Sequence, residues 1–256
     1  MTEATSHPEG DAQGITQDDL LGGRVRLSQP ARGYRAAIDP VLLAAAVPAR
    51  AGERVLDLGC GVGAAALCLL ARVPGVEVTG LEIQNALVRL AAANAALNGL
   101  ADRFEVLEGD VLAPPPSLAG GGFDRVMLNP PYLAEGTSRP PDRLSQALAT
   151  HEADARLADW LDTALVLLKP KGGLTLVHRA DRLDDVLSCL RGRAGGIRIL
   201  PFWPAAGKPA KRVLVAARKA VAGPLTLAPG LVLHEADGRF TAAAEAVLRD
   251  AVALAL

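Results

Sequence analysis

Val55-Leu56-Asp57-Leu58-Gly59-Cys60-Gly61-Val62-Gly63 is an apolar strand that runs into a glycine-rich loop, and an Ala/Leu helix follows from Ala64. Glycines at 59, 61 and 63 let a ligand approach the main chain without meeting a Cβ. A loop at the carboxyl end of the first strand is where open α/β sheets bind ligands. Outward from this point, strand and helix alternate. Strands are predicted at 54–58, 76–82, 104–107, 123–128, 174–178, 197–202 and 211–217. Helices are predicted at 64–73, 85–98, 154–168 and 181–190. This rhythm indicates an α/β fold with a mostly parallel, seven-stranded sheet and helices on both faces. Residues 203–210 are too few for a helical crossover, so the last two strands pair antiparallel as an edge hairpin.

The flanks are shorter on signal. Residues 1–19 are polar and without periodicity and read as a flexible tail. Arg24-Val25-Arg26-Leu27 alternates as a short strand does, and Asp39-Pro40 reads as a helix cap followed by the first helical residue. Residues 224–240 suggest a hairpin and 241–254 a closing helix. The chain is thus expected to form one domain over 20–256: an N-terminal cap (20–50), a core (51–220), and a C-terminal hairpin and helix (221–256).

The 256 residues carry a net charge of −1, half are hydrophobic and 3% are aromatic. That balance excludes a globally basic nucleic-acid binder but not a local basic face. Cys60, Cys68 and Cys189 lack zinc-ligand spacing and do not resemble a disulfide framework, which suits a reducing cytoplasm. No apolar run approaches the ~18–20 residues of a membrane span. The expected location is cytoplasmic.

Two cofactors compete for the glycine loop. A dinucleotide needs its pyrophosphate held by the loop and helix start, usually with G-x-G-x-x-G spacing. Here the spacing is G-x-G-x-G, with Asp57 two residues ahead of it. Glu82 ends the second strand, where its carboxylate can grip ribose hydroxyls, and Asp110 follows the third, placed to accept from an adenine amine. Carboxylates for an ammonium and a ribose, with an open loop between them, favour S-adenosylmethionine.

The fourth strand ends in Asn129-Pro130-Pro131-Tyr132. The prolines fix their own φ and lack N–H groups, and Pro131 biases Pro130 away from helix, so the turn is stiff. A planar amine lying on the Tyr132 ring would find acceptors in Asn129 Oδ1 and the Pro130 carbonyl.

On these motifs, residues 55–132 resemble a class I S-adenosylmethionine-dependent methyltransferase of the group whose fourth motif is N-P-P-Y. That group methylates adenine in DNA or RNA, or glutamine in release factors. Gly33-Tyr34-Arg35-Ala36-Ala37-Ile38-Asp39-Pro40-Val41-Leu42-Leu43, His151-Glu152 and the expected C-terminal hairpin extend the resemblance to the tRNA adenine-N6 methyltransferases of the valine tRNA anticodon loop, over about residues 20–250. Members of that family often carry G-x-D before the upstream helix, whereas Ala37-Ile38 precedes Asp39 here. The resemblance implies a Rossmann-like fold and catalysis at Asn129, Pro130 and Tyr132. It implies cofactor contacts at Asp39, Asp57, Gly59, Gly61, Gly63, Glu82, Asp110 and Asn129. Substrate contacts are implied at Tyr34, Arg35, Pro131, Tyr132 and His151. No metal is implied.

Residues 168–220 hold twelve Lys or Arg against three Asp, a surplus of nine, with Phe202 and Trp203 nearby. This pattern suggests a phosphate-contacting surface for RNA, most readily tRNA. Release-factor glutamine methylation and ribosomal guanine-N2 methylation remain as enzymatic alternatives. The first of those families carries a helical domain before its core, and here about fifty residues precede the glycine loop. A catalytically idle RNA-binding protein on the same fold is the alternative of another class.

Overall fold

The computed structural model of the chain describes residues 14–32, 35–131 and 156–255. Two antiparallel strands, β1 (Ile15–Leu20) and β2 (Val25–Pro30), form a ribbon apart from the main sheet. Helix α1 (Ile38–Ala46) leads to β3 (Arg54–Leu58), α2 (Ala64–Arg72), β4 (Glu77–Glu82), α3 (Asn85–Leu97) and β5 (Phe104–Glu108). Then come β6 (Phe123–Leu128), α4 (Leu157–Leu167), β7 (Leu168–Arg179), α5 (Leu183–Leu190), β8 (Ala194–Ala205) and β9 (Arg212–Lys219). The described chain closes with β10 (Thr226–Leu227), β11 (Leu231–His234) and α6 (Ala242–Arg249).

The main sheet runs β10-β8-β9-β7-β6-β3-β4-β5, and β11 also pairs with β8. From β5 to β7 every pairing is parallel, and β9 lies antiparallel between β7 and β8. The central strands are apolar on both sides because both faces are covered. Val55, Met127 and Val177 pack with the α1 and α2 residues Leu42, Leu67 and Leu69. Their alternates Leu56, Leu58, Val126, Leu128 and Leu176 pack with Trp160 and Leu161 of α4 and Val186 of α5.

The seven expected strands and the edge hairpin are all present, and the sheet is wider by two short strands. Within 224–240, β10 and β11 each pair in parallel with β8, and the antiparallel pairing there is a single bridge, His234 to Phe240. The tail reading needs correction too, because 15–20 is a strand. Two of its polar residues, Thr16 and Asp18, are held by Arg35 and Gln29. Arg35 binds Asp18 at 2.7 Å and Thr16 Oγ1 at 2.6 Å, and Gln29 Nε2 donates to Asp18 at 2.9 Å. Residues 169–173, between the expected helix at 154–168 and the expected strand at 174–178, belong to β7, which meets β6 through a register shift.

Candidate active site

Strands β3 and β6 are hydrogen-bonded neighbours with Leu58 opposite Leu128. Gly59 and Asn129 are the next residues of each, so the glycine loop and the N-P-P turn start side by side, about one strand spacing (~4.8 Å) apart. Pro130 is buried and Asn129 and Pro131 are half-buried. Tyr132, Tyr34 and the His151-Glu152 pair lie outside the described residues.

The loop is tied to β4. The Gly59 and Cys60 N–H groups donate to the Leu81 carbonyl at 2.8 and 3.0 Å. The Glu82 carboxylate accepts from Gly61 N–H at 3.0 Å and Gln84 N–H at 2.9 Å. Gly59 has φ 72°, and a Cβ there would lie 2.7 Å from the Trp160 ring. Gly61 has φ 55°, and among the described residues no atom lies within 4 Å of where its Cβ would be, so its backbone borders open space there.

Asp57 is 3% exposed. Burial raises its pKa to about 7, the Ala66 N–H opposes the shift, and the charge of Glu82 adds to it. Its Oδ2 has no hydrogen-bond partner among the described residues. Burial likewise raises the Glu82 pKa, against the N–H groups of Gln84, Gly61 and Ile83. Cys60 is pushed well above its ordinary value by burial and then by the two carboxylates, so it stays a thiol. Half-buried Asp110 folds back on its own turn, accepting from Leu112 N–H at 2.9 Å.

Other expected residues sit differently. Asp39 does not cap α1: the N-cap is Ala37, and no side chain caps that end. Asp39 is 6% exposed and pairs with Arg212 at the start of β9. Arg35, besides binding Asp18 and Thr16, donates to the Pro30 carbonyl at 3.1 Å, so these contacts brace the ribbon. Phe202 is a core residue at 1% exposure, and Trp203 is the partly exposed aromatic of the pair.

The basic segment divides between the two ends of the sheet, since Gly173 pairs with Arg218 and Arg179 with Arg212. Lys169, Lys171, Arg218 and Lys219 lie at the end remote from the loop. There Lys169 binds Asp124 at 2.6 Å, and Lys219 Nζ donates to the Leu168 carbonyl at 2.7 Å. Arg179, Arg212 and the β8–β9 turn bearing Lys208 and Lys211 lie at the same end as Asn129.

Sequence reading missed three residues that shape this site: Trp160 beneath Gly59, Arg212 on Asp39, and Asn94 in α3. Asn94 is fully buried, and an amide on the inner face of an Ala/Leu helix was the available signal.

Comparison with known proteins follows from this geometry. The model of the methyltransferase small domain family matches residues 37–184. The chain belongs to this family. A tRNA1(Val) (adenine(37)-N6)-methyltransferase from Porphyromonas gingivalis is 33% identical over 234 residues, covering 85% of this chain and 88% of that one. A release factor glutamine methyltransferase from Gloeobacter violaceus is 32% identical over 165 residues, covering 60% of this chain and 56% of its own. Among solved structures, a predicted O-methyltransferase from Agrobacterium tumefaciens superposes with TM-score 0.70 at 29% identity, over 85% of this chain and 98% of that one.

The cofactor of this methyltransferase is S-adenosylmethionine, and the residues present fit it. The unpartnered Asp57 Oδ2 is a buried acceptor suited to an ammonium. Gly61 leaves the loop open to a bulky ligand. Neither feature calls for a phosphate. No helix among the described residues is long and apolar enough to cross a membrane.

Proposed function

We propose that this methyltransferase modifies the exocyclic N6 amine of an adenine in the anticodon loop of a tRNA, in the cytoplasm. The observation that carries the reading is the register placing Asn129-Pro130 beside Gly59. An adenine amine is a weak nucleophile because its lone pair is delocalised into the ring. Asn129 Oδ1 and the Pro130 carbonyl accept its two N–H bonds, favour pyramidal nitrogen and hold the lone pair in line. S-adenosylmethionine, when bound, supplies the methyl group: the N–C bond forms as the S–C bond breaks, the sulfonium leaves as a neutral thioether, and the methylated amine gives up one proton to solvent. Orientation then accounts for much of the acceleration, and the two acceptors matter through geometry matched to the transition state.

Within the cofactor site, Asp57 faces the ammonium, Glu82 the ribose and Asp110 the adenine amine. Tyr132 stacks on the target base, contributing about 1–3 kcal/mol by analogy with other base–aromatic contacts. The base leaves its own stack to enter. Like the tRNA-modifying relative from Porphyromonas gingivalis, this chain aligns over nearly its whole length, whereas the release-factor enzyme aligns over little more than half of its own. This difference favours RNA over protein as substrate. The basic groups sharing an end with Asn129 supply phosphate contacts.

The Asn129→Ala variant tests the assignment. Methyl transfer to tRNA is expected to fall to background while calorimetry shows cofactor affinity nearly unchanged. Substantial remaining turnover would refute the role given to Asn129.

A further inference from the structure

Asn94 lies at 0% exposure in α3, and its side-chain amide pairs with β2 as a neighbouring strand would. Oδ1 accepts from Ser28 N–H at 2.8 Å and Nδ2 donates to the Ser28 carbonyl at 2.9 Å. One helical turn later Asn98 repeats the pattern on Arg26, accepting from its N–H at 2.8 Å and donating to its carbonyl at 2.7 Å. The spacings match, because residues four apart share a helix face and residues two apart share a strand edge.

The two amides differ in their second N–H: that of Asn98 donates to the Asn94 carbonyl at 2.7 Å, whereas that of Asn94 reaches the glycine loop. There Asn94 Nδ2 donates to the carbonyl of Val62, at 3.0 Å. Val62 stands between Gly61 and Gly63, so one amide fixes the ribbon and the glycine loop against each other. Both N–H bonds of the amide are committed, one to each partner. The ribbon in turn holds the approach to α1: Gln29, 1% exposed, accepts from Ala36 N–H at 2.8 Å.

Within the loop the Gly63 N–H donates to the Cys60 carbonyl at 2.9 Å, and the Cys60 and Val62 side chains are buried in the core. The loop's glycines offer no side chains to pack, and its described anchors to other segments are the Leu81 carbonyl, the Glu82 carboxylate and Asn94. Glu82 must also serve the ligand. Asn94 is the uncharged side-chain anchor among these, and its described partners are the main chains of Ser28 and Val62.

We infer that Asn94 is a positioning residue for S-adenosylmethionine, setting the Val62 peptide so that Gly61 presents an open backbone to the cofactor. The inference rests on reading the loop as the cofactor site. Without Asn94, the buried Val62 carbonyl loses its donor and the loop relaxes away from its binding shape. Asn98 braces the same ribbon but does not touch the loop, which makes it the matched control.

The full chain would be prepared as Asn94→Ala and as Asn98→Ala. Melting temperature, cofactor KM and kcat at saturating cofactor would be measured for each. Both variants are expected to melt lower. Only Asn94→Ala is expected to raise the cofactor KM, about tenfold, the equivalent of one good hydrogen bond (~1.4 kcal/mol). Its kcat at saturation should stay within about twofold of the unsubstituted enzyme, as should the KM of Asn98→Ala. Equal KM values in the two variants would overturn the inference. Should Asn94→Ala not fold, Asn94→Ser against Asn98→Ser gives the same comparison. Failure of the unsubstituted chain and Asn98→Ala to bind S-adenosylmethionine would strike instead at the cofactor reading.

Discussion

Asp57 should make cofactor affinity depend on pH in a way that can be calculated in advance. Burial raises its pKa from 3.8 to about 7, so between those values the folded, cofactor-free protein holds a proton that the unfolded chain has shed. The stability from this group is full below about pH 3.8 and is lost as pH rises through about 7, on the order of 4 kcal/mol in all. An ammonium beside Asp57 reverses the preference by favouring the carboxylate, so binding below pH 7 must release the proton. With a pKa of about 7, Kd should be about fivefold weaker at about pH 6 than at about pH 7. That range lies below about 7.7, where an α-amino group is half titrated, so the ammonium stays mostly charged across it. Calorimetry in two buffers of different ionisation enthalpy should register release of about 0.9 proton at about pH 6. In Asp57→Asn the affinity should be weaker and the pH slope absent. A flat Kd over this range, or an unchanged slope in Asp57→Asn, would refute the placement of the ammonium.

Other outcomes follow from the same geometry. Gly59→Ala forces a Cβ against the Trp160 ring at positive φ and should cost about 2–4 kcal/mol in denaturant unfolding. Adding Trp160→Ala should recover part of that loss through coupling, and strict additivity would count against the contact. Asp39→Ala should lower stability by about 1–3 kcal/mol through the lost Arg212 partner, whereas Asp39→Asn should cost less. Lys208→Glu with Lys211→Glu should weaken tRNA binding and reduce the salt slope by about 1.4–1.8, while Lys171→Glu with Lys219→Glu at the far end should change neither. Equal effects at the two ends, or a binding constant insensitive to salt, would remove the assigned RNA surface.

The core was legible because its signals are local and redundant. Val55 to Ala64 combines a buried strand, a loop demanding positive φ and a helix start, and Asn129-Pro130-Pro131 marks the end of a strand by chemistry no helix interior tolerates. What the sequence concealed was polar pairing between distant segments. Thr16 and Asp18 read as tail residues until Arg35 and Gln29 are seen to complete them. Asp39 resembles a cap by position, yet its partner is 173 residues away on β9. Thr226 and Leu227 are too few to announce a strand and gain that character only against β8. The basic surplus read as one patch because a strand's two ends are close in sequence but lie across the full height of the sheet.

The central claim is that a planar adenine amine receives the methyl group at Asn129. Valine tRNA lacking modification would be incubated with the protein and isotope-labelled S-adenosylmethionine, then digested to nucleosides for mass spectrometry, with a release factor treated in parallel. The account predicts label in N6-methyladenosine from the anticodon loop. Label in methylguanosine, or in a glutamine side chain of the release factor with none in adenosine, would contradict it.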